Sequence, residues 1–166
     1  MITDLISLSD YFEQLVGQLP DVYFLPISNG EKGIDEIEAY YTNDYRGTTA
    51  FFQVAEVPRA TNGAGLDTLK FMCSLSIAAK PADASARAGL EVRDYTLKLM
   101  LRLLGLLELA AETSQQEVEE QGLGYEMKIE PVERIFPIGL LANVDLDGHY
   151  MDVDVTIPAN HLLFPD

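Results

Sequence analysis

The chain has 166 residues, 48% of them hydrophobic, enough for one well-packed core and too few for two domains of ordinary size. Eleven Lys and Arg stand against 27 Asp and Glu, a net charge of −16 at pH 7. That balance argues against specific binding to a nucleic-acid backbone or to an anionic membrane, and the single cysteine, Cys73, excludes an internal disulfide.

Taken in chain order, Ser7-Leu8-Ser9-Asp10 reads as a capping box. Leu8, Tyr11, Phe12, Leu15 and Leu19 recur behind it at helical spacing, so a short helix is expected to about Gln18, stopped by Pro20. Val22–Leu25 reads as a strand ended by Pro26. Residues Ile34–Tyr41 and Thr48–Val57 are rich in β-branched and aromatic side chains and predict two strands joined by a turn over Thr42–Gly47. A loop spans Pro58–Gly65. Alternation of Leu69, Phe71, Cys73, Leu75 and Ile77 with more polar residues then marks a strand with one apolar face.

Pro81, Asp83 and Ser85 open a long helix reaching about Glu112, whose polar residues Arg87, Glu91, Asp94, Lys98, Arg102 and Glu112 form a narrow line. At about 1.5 Å per residue it is roughly 40 Å long, against a radius of gyration of about 15 Å for a domain of this size. Its Leu-rich surface exceeds what one sheet covers. Leu97, Met100, Leu101, Leu104 and Leu107 are therefore expected to face a neighbouring subunit.

Residues 114–124 read as an acidic connector, followed by a strand over Tyr125–Val132. Asp147-Gly148 is favoured in a two-residue type I′ turn, and a hairpin folded there pairs Leu146 with His149 and Ile138 with Ile157. One hairpin face is then almost wholly apolar. The other carries Asn143, Asp145, Asp152 and Asp154, interrupted by Tyr150 and Leu141. The fold class expected is α+β: one domain over 1–166, an antiparallel or mixed sheet packed against one long helix, with a short N-terminal helix and a C-terminal hairpin.

No catalytic motif appears, and neither an enzyme nor a metal or cofactor is expected. A calcium loop starting at Asp145 would need glycine sixth and glutamate twelfth, but Gly148 is fourth and Thr156 is twelfth. Asn62-Gly63-Ala64-Gly65 lacks the residues of a phosphate loop. Cys73 lies in an apolar alternation and reads as a buried thiol; its possible bases are His149 and His161. Tyr40, Tyr41 and Tyr45 fit a binding patch or cross-strand packing equally well. Met1-Ile2-Thr3-Asp4 has no basic start and apolar block, so no signal peptide is expected. The apolar run Leu103–Leu107 is far short of the roughly 20 residues of a membrane span.

This order of elements resembles that of phage tail terminator (tail completion) proteins and related neck or minor tail components. Three local echoes carry the likeness: the strand Leu75–Pro81, the helix segment Arg93-Asp94-Tyr95 to Leu107, and the terminal strand led by Gly148. The resemblance, over about Ser7 to Pro158, implies a homo-oligomeric ring on the end of a tail tube. That ring stops tube polymerisation, docks head-connector or other tail proteins, and lets DNA pass. It implies assembly in the host cytoplasm and residence in the virion tail. An acidic wall, for which Asp152 and Asp154 are the candidates, would let the duplex slide without sticking. The Arg59–Leu66 arm is short for a segment that grips a neighbour. The alternative is a small acidic module that masks a basic partner protein. A further rival is an enzyme using Asp145 and Asp152 as an acid–base pair.

Overall fold

The computed structural model describes residues 2, 4–61, 67–121, 127–141 and 145–159, with side chains described outside 114–121 and 139–141. Helix α1, Leu5–Val16, begins one turn earlier than the sequence suggests. Asp4 is the cap: its carboxylate accepts the Ser7 N–H at 2.7 Å, and Ser7 Oγ accepts the Asp4 N–H at 3.0 Å. This reciprocal pair satisfies two backbone donors that a helix start otherwise leaves unpaired. The expected apolar stripe holds, with Leu8, Phe12, Leu15 and Leu19 buried and Tyr11 packed beside them.

Strands β1, Tyr23–Pro26, and β2, Thr49–Glu56, pair in parallel. Parallel neighbours need a crossover rather than a tight turn. The crossover is helix α2, Glu31–Asn43, where a strand over Ile34–Tyr41 was expected. Local contacts decide the difference. Ser28 donates its N–H and its hydroxyl to the Glu36 carboxylate at 2.7 and 2.8 Å, folding the incoming loop onto the helix. Gly33 permits this approach, since a Cβ there would lie 2.0 Å from the Ser28 carbonyl oxygen. Ile37, Tyr40 and Tyr41 then pack against Phe51 as one helical face.

Part of the expected loop after β2 is a short strand, β3 (Arg59–Thr61), paired antiparallel with β4 (Asp67–Ala79). Asn62–Gly65 lie outside the described residues. The long helix α3 runs from Ala86 to Gln121. It therefore continues through most of the span read as an acidic connector; 122–124 lie outside the described residues. Of the strand expected over Tyr125–Val132, residues 127–132 are described, and Lys128–Ile129 alone among them form a strand, β5.

Strands β6, Phe136–Leu141, and β7, Leu146–Pro158, form the C-terminal hairpin, with a different turn from the one expected. Leu141 pairs with Leu146 and Ile138 with Gly148, so the chain reverses between Leu141 and Leu146, and Asp147-Gly148 lies inside β7. Gly148 serves close approach: a Cβ on it would stand 2.1 Å from the Ile77 carbonyl oxygen of β4. Leu146 consequently faces Tyr41, Phe51 and Ala78, not the apolar side expected for it.

Among the described residues the strands form one mixed seven-stranded sheet in the order β1-β2-β4-β7-β5, with β3 beside β4 and β6 beside β7. The two 13-residue strands β4 and β7 are its spine. Phe71, Cys73, Leu75 and Ile77 of β4 and Met151, Val153, Val155 and Ile157 of β7 pack with α1 and α3 into the main core. A smaller core joins α2 to the opposite face. The α+β class expected from sequence holds, with the sheet mixed because of β1.

Candidate interaction surfaces

Helix α3 crosses the sheet with Ala88, Thr96, Leu99, Met100, Leu103 and Leu107 buried beneath it. At about 100° per residue these lie on one face. Two of the five residues expected to meet a neighbour, Met100 and Leu107, are thus inside their own protomer's core. The sheet and α1 cover more of the helix than a count of its leucines suggests. Leu97 and Leu104 are half-buried, and Leu101 is 52% exposed. Leu90 joins them at 63% exposed, seven residues before Leu97 on the same flank. Its i+7 relation to Leu97 and Leu104 was the signal available in the sequence.

Along the outer side of this stripe run exposed charges. Arg87 pairs with Glu91 at 3.0 Å and Lys98 with Asp94 at 2.6 Å, each within the helix. Such exposed i,i+4 pairs contribute little to stability and leave the side chains free to exchange partners.

The opposite face of β7 carries Tyr150, Asp152, Asp154 and Thr156, since Met151, Val153 and Val155 point into the core. Asp154 accepts from Lys70 Nζ at 2.8 Å, and Glu130 accepts from the same ammonium at 3.1 Å. Those hydrogen bonds, Asp154 first, hold the Lys70 pKa above its ordinary value. Asp152 is exposed, at the wall of an open cavity of ≈360 Å³ shared with Glu133, Arg134 and Phe136. Asp145 is not part of this patch. It sits at the other end of β7 in a left-handed conformation, φ 46°, about 20 Å from Asp152 along the strand. Asn143 lies outside the described residues; among the described ones, the acidic face expected from the hairpin reduces to Asp152 and Asp154.

A polar junction joins α3 to the first residues of β7. Asp147 is 2% exposed, and its carboxylate accepts from Arg93 Nε at 2.7 Å and from the Gly148 N–H at 2.9 Å. His149, 8% exposed, places Nδ1 3.1 Å from Thr96 Oγ1, whose proton goes to the Val92 carbonyl at 2.9 Å. Burial, aided by Arg93 and opposed by Asp147, lowers the His149 pKa below its ordinary 6.5. Beside this junction is a cavity of ≈650 Å³ under the Pro81–Ser85 loop, walled by Leu90 and Asp145, with the Arg93–Asp147 pair at its edge.

Cys73 and His149 do not meet. Cys73 lies opposite Val153 and His149 opposite Ile77, four ladder positions apart, or roughly 13 Å. Burial pushes the Cys73 thiol up to about 12, far from a thiolate nucleophile at neutral pH. His161 lies outside the described residues. No group of His, Cys, Asp and Glu among the described residues could hold a metal ion, and no helix among them is long and apolar enough to cross a membrane. Tyr40, Tyr41 and Tyr45 belong to helix–sheet packing rather than cross-strand pairing. The Lys80 ammonium sits over the Tyr41 and Tyr45 rings at 5.3 and 5.2 Å, a cation already filling that aromatic patch.

Compared with protein-family models and with curated proteins, the chain matches none.

Proposed function

We propose that the chain is a structural assembly protein of the tail-terminator type that it resembles: copies of it join on the end of a tail tube, halt its growth and present a docking face to the head connector. The observation that carries this reading is the stripe Leu90, Leu97, Leu101 and Leu104, a row of apolar side chains on α3 that the sheet and α1 leave exposed or only half-covered. Exposed apolar side chains in a row on a rigid helix favour burial against another protein. The exposed Asp152 supports a face that repels phosphate, beside which DNA could move without condensing. On this reading the protein acts in the host cytoplasm and then in the virion tail.

The test is polymerisation of the cognate tube protein with and without this chain, followed by electron microscopy and sedimentation. Capping predicts shorter tubes with the chain co-sedimenting at one end. Tubes of unchanged length with the chain left in the supernatant would overturn the proposal.

A further inference from the structure

The charges beside the α3 stripe have an order that becomes its own complement when reversed. With Arg93 set aside, since it pairs with Asp147 of its own protomer, the signs from Arg87 through Glu91, Asp94, Lys98 and Arg102 to Glu108 run plus, minus, minus, plus, plus, minus. We infer that the stripe is covered by the same stripe of a second copy, the two α3 helices lying antiparallel about a two-fold axis at Leu97.

In that register Leu97 meets Leu97, and Leu90 meets Leu104. Arg87 stands beside Glu108 of the second copy, Glu91 beside Arg102 and Asp94 beside Lys98, each within about two residues of level, or roughly 3 Å along the axis. A parallel pair would set every charge against its like. The side on which the charges lie fits as well. At about 100° per residue most of them fall outward of the leucines, and a two-fold axis normal to the helix pair keeps outward sides together. All six charged residues are exposed, so no core contact of the protomer has to break. Two-fold contacts of this kind are isologous and self-limiting. The pairing rests on the assembly reading for its consequence: it hides the stripe in the free protein, so that rings grow only where a tube displaces the second copy.

The experiment is light scattering on the full chain over a range of concentrations, with Glu91→Arg, Arg102→Glu and the double variant. Each single change places like charges together at two symmetry-related points, and dimerisation should weaken by roughly tenfold. The double variant restores both contacts and should restore the dimer. Residues 91 and 102 are about 16 Å apart within one helix, so rescue has to come from the second copy. Circular dichroism and urea unfolding of each variant check that the protomer stays folded.

A monomeric wild-type chain overturns the pairing, as does a dimer indifferent to the single changes or not rescued by the double one. Tube capping by a chain that never dimerises would leave the functional reading standing and the pairing refuted. A rescued dimer without capping would do the reverse.

Discussion

Gly148 and His149 are adjacent in β7 and fail in different ways when altered. At Gly148 the backbone is not left-handed, so the demand for glycine comes from space alone: an added Cβ meets the Ile77 carbonyl oxygen at 2.1 Å and Ala78 Cα at 2.8 Å. Gly148→Ala forces β4 and β7 apart at the centre of the sheet. It should cost about 2–4 kcal/mol, read as a lower urea midpoint with an unchanged slope; a midpoint like that of the wild type would refute the close approach. His149 is sensitive to protons instead. Its folded pKa lies below 6.5, so the unfolded chain binds more protons near pH 6. The histidine's contribution is complete above about 6.5 and is lost as pH falls through the folded value. Arg93, Asp147 and Thr96 are the groups that face it. Between about pH 7.5 and about pH 5.5 the wild type should therefore lose more stability than His149→Gln, measured by urea unfolding. Equal losses would show that the imidazole is not desolvated.

At the scale of the element, α3 separates residues that its composition makes look alike. Leu103 is fully buried against the sheet, whereas Leu101, two positions earlier, points mostly to solvent. Leu103→Ala should destabilise the protomer by about 2–5 kcal/mol. Leu101→Ala should change protomer stability by no more than about 0.5 kcal/mol in urea unfolding at high dilution. Comparable losses at both sites would contradict the orientation of the helix. Strand β7 behaves in the same way: from His149 onward its alternation gives the faces correctly, yet the place where the chain turns into it does not follow from Asp147-Gly148. The dipeptide carries the local preference for a turn, and pairing of Gly148 with Ala78 on β4 overrides it.

For the molecule as a whole, the −16 charge is spread over one small body, and 11 basic residues cannot offset 27 acidic ones. Lys70 bridging Asp154 and Glu130, and Arg93 with Asp147, relieve the repulsion only locally. Screening should therefore stabilise the fold. Raising NaCl from about 0.01 M to about 0.1 M shortens the Debye length from about 30 Å to about 10 Å, and the thermal midpoint should rise. A midpoint that stays level or falls would mean that specific ion pairs outweigh the general repulsion.

What the chain determined by itself was periodic: the stripe of α1, the apolar face of β4, the course of α3 as far as Glu112, and the alternation of β7 from His149 onward. Those patterns repeat within a few residues, and local geometry alone turns them into a face. Tertiary structure decided whatever depends on residues distant in sequence. Ile34–Tyr41 became a helix because parallel β1 and β2 need a crossover and because Glu36 captures Ser28. Gly148 became a packing glycine because β4 lies against it. Of five leucine and methionine positions alike in sequence, Met100 and Leu107 went inward and Leu101 stayed out, because the sheet reaches one side of the helix and no further.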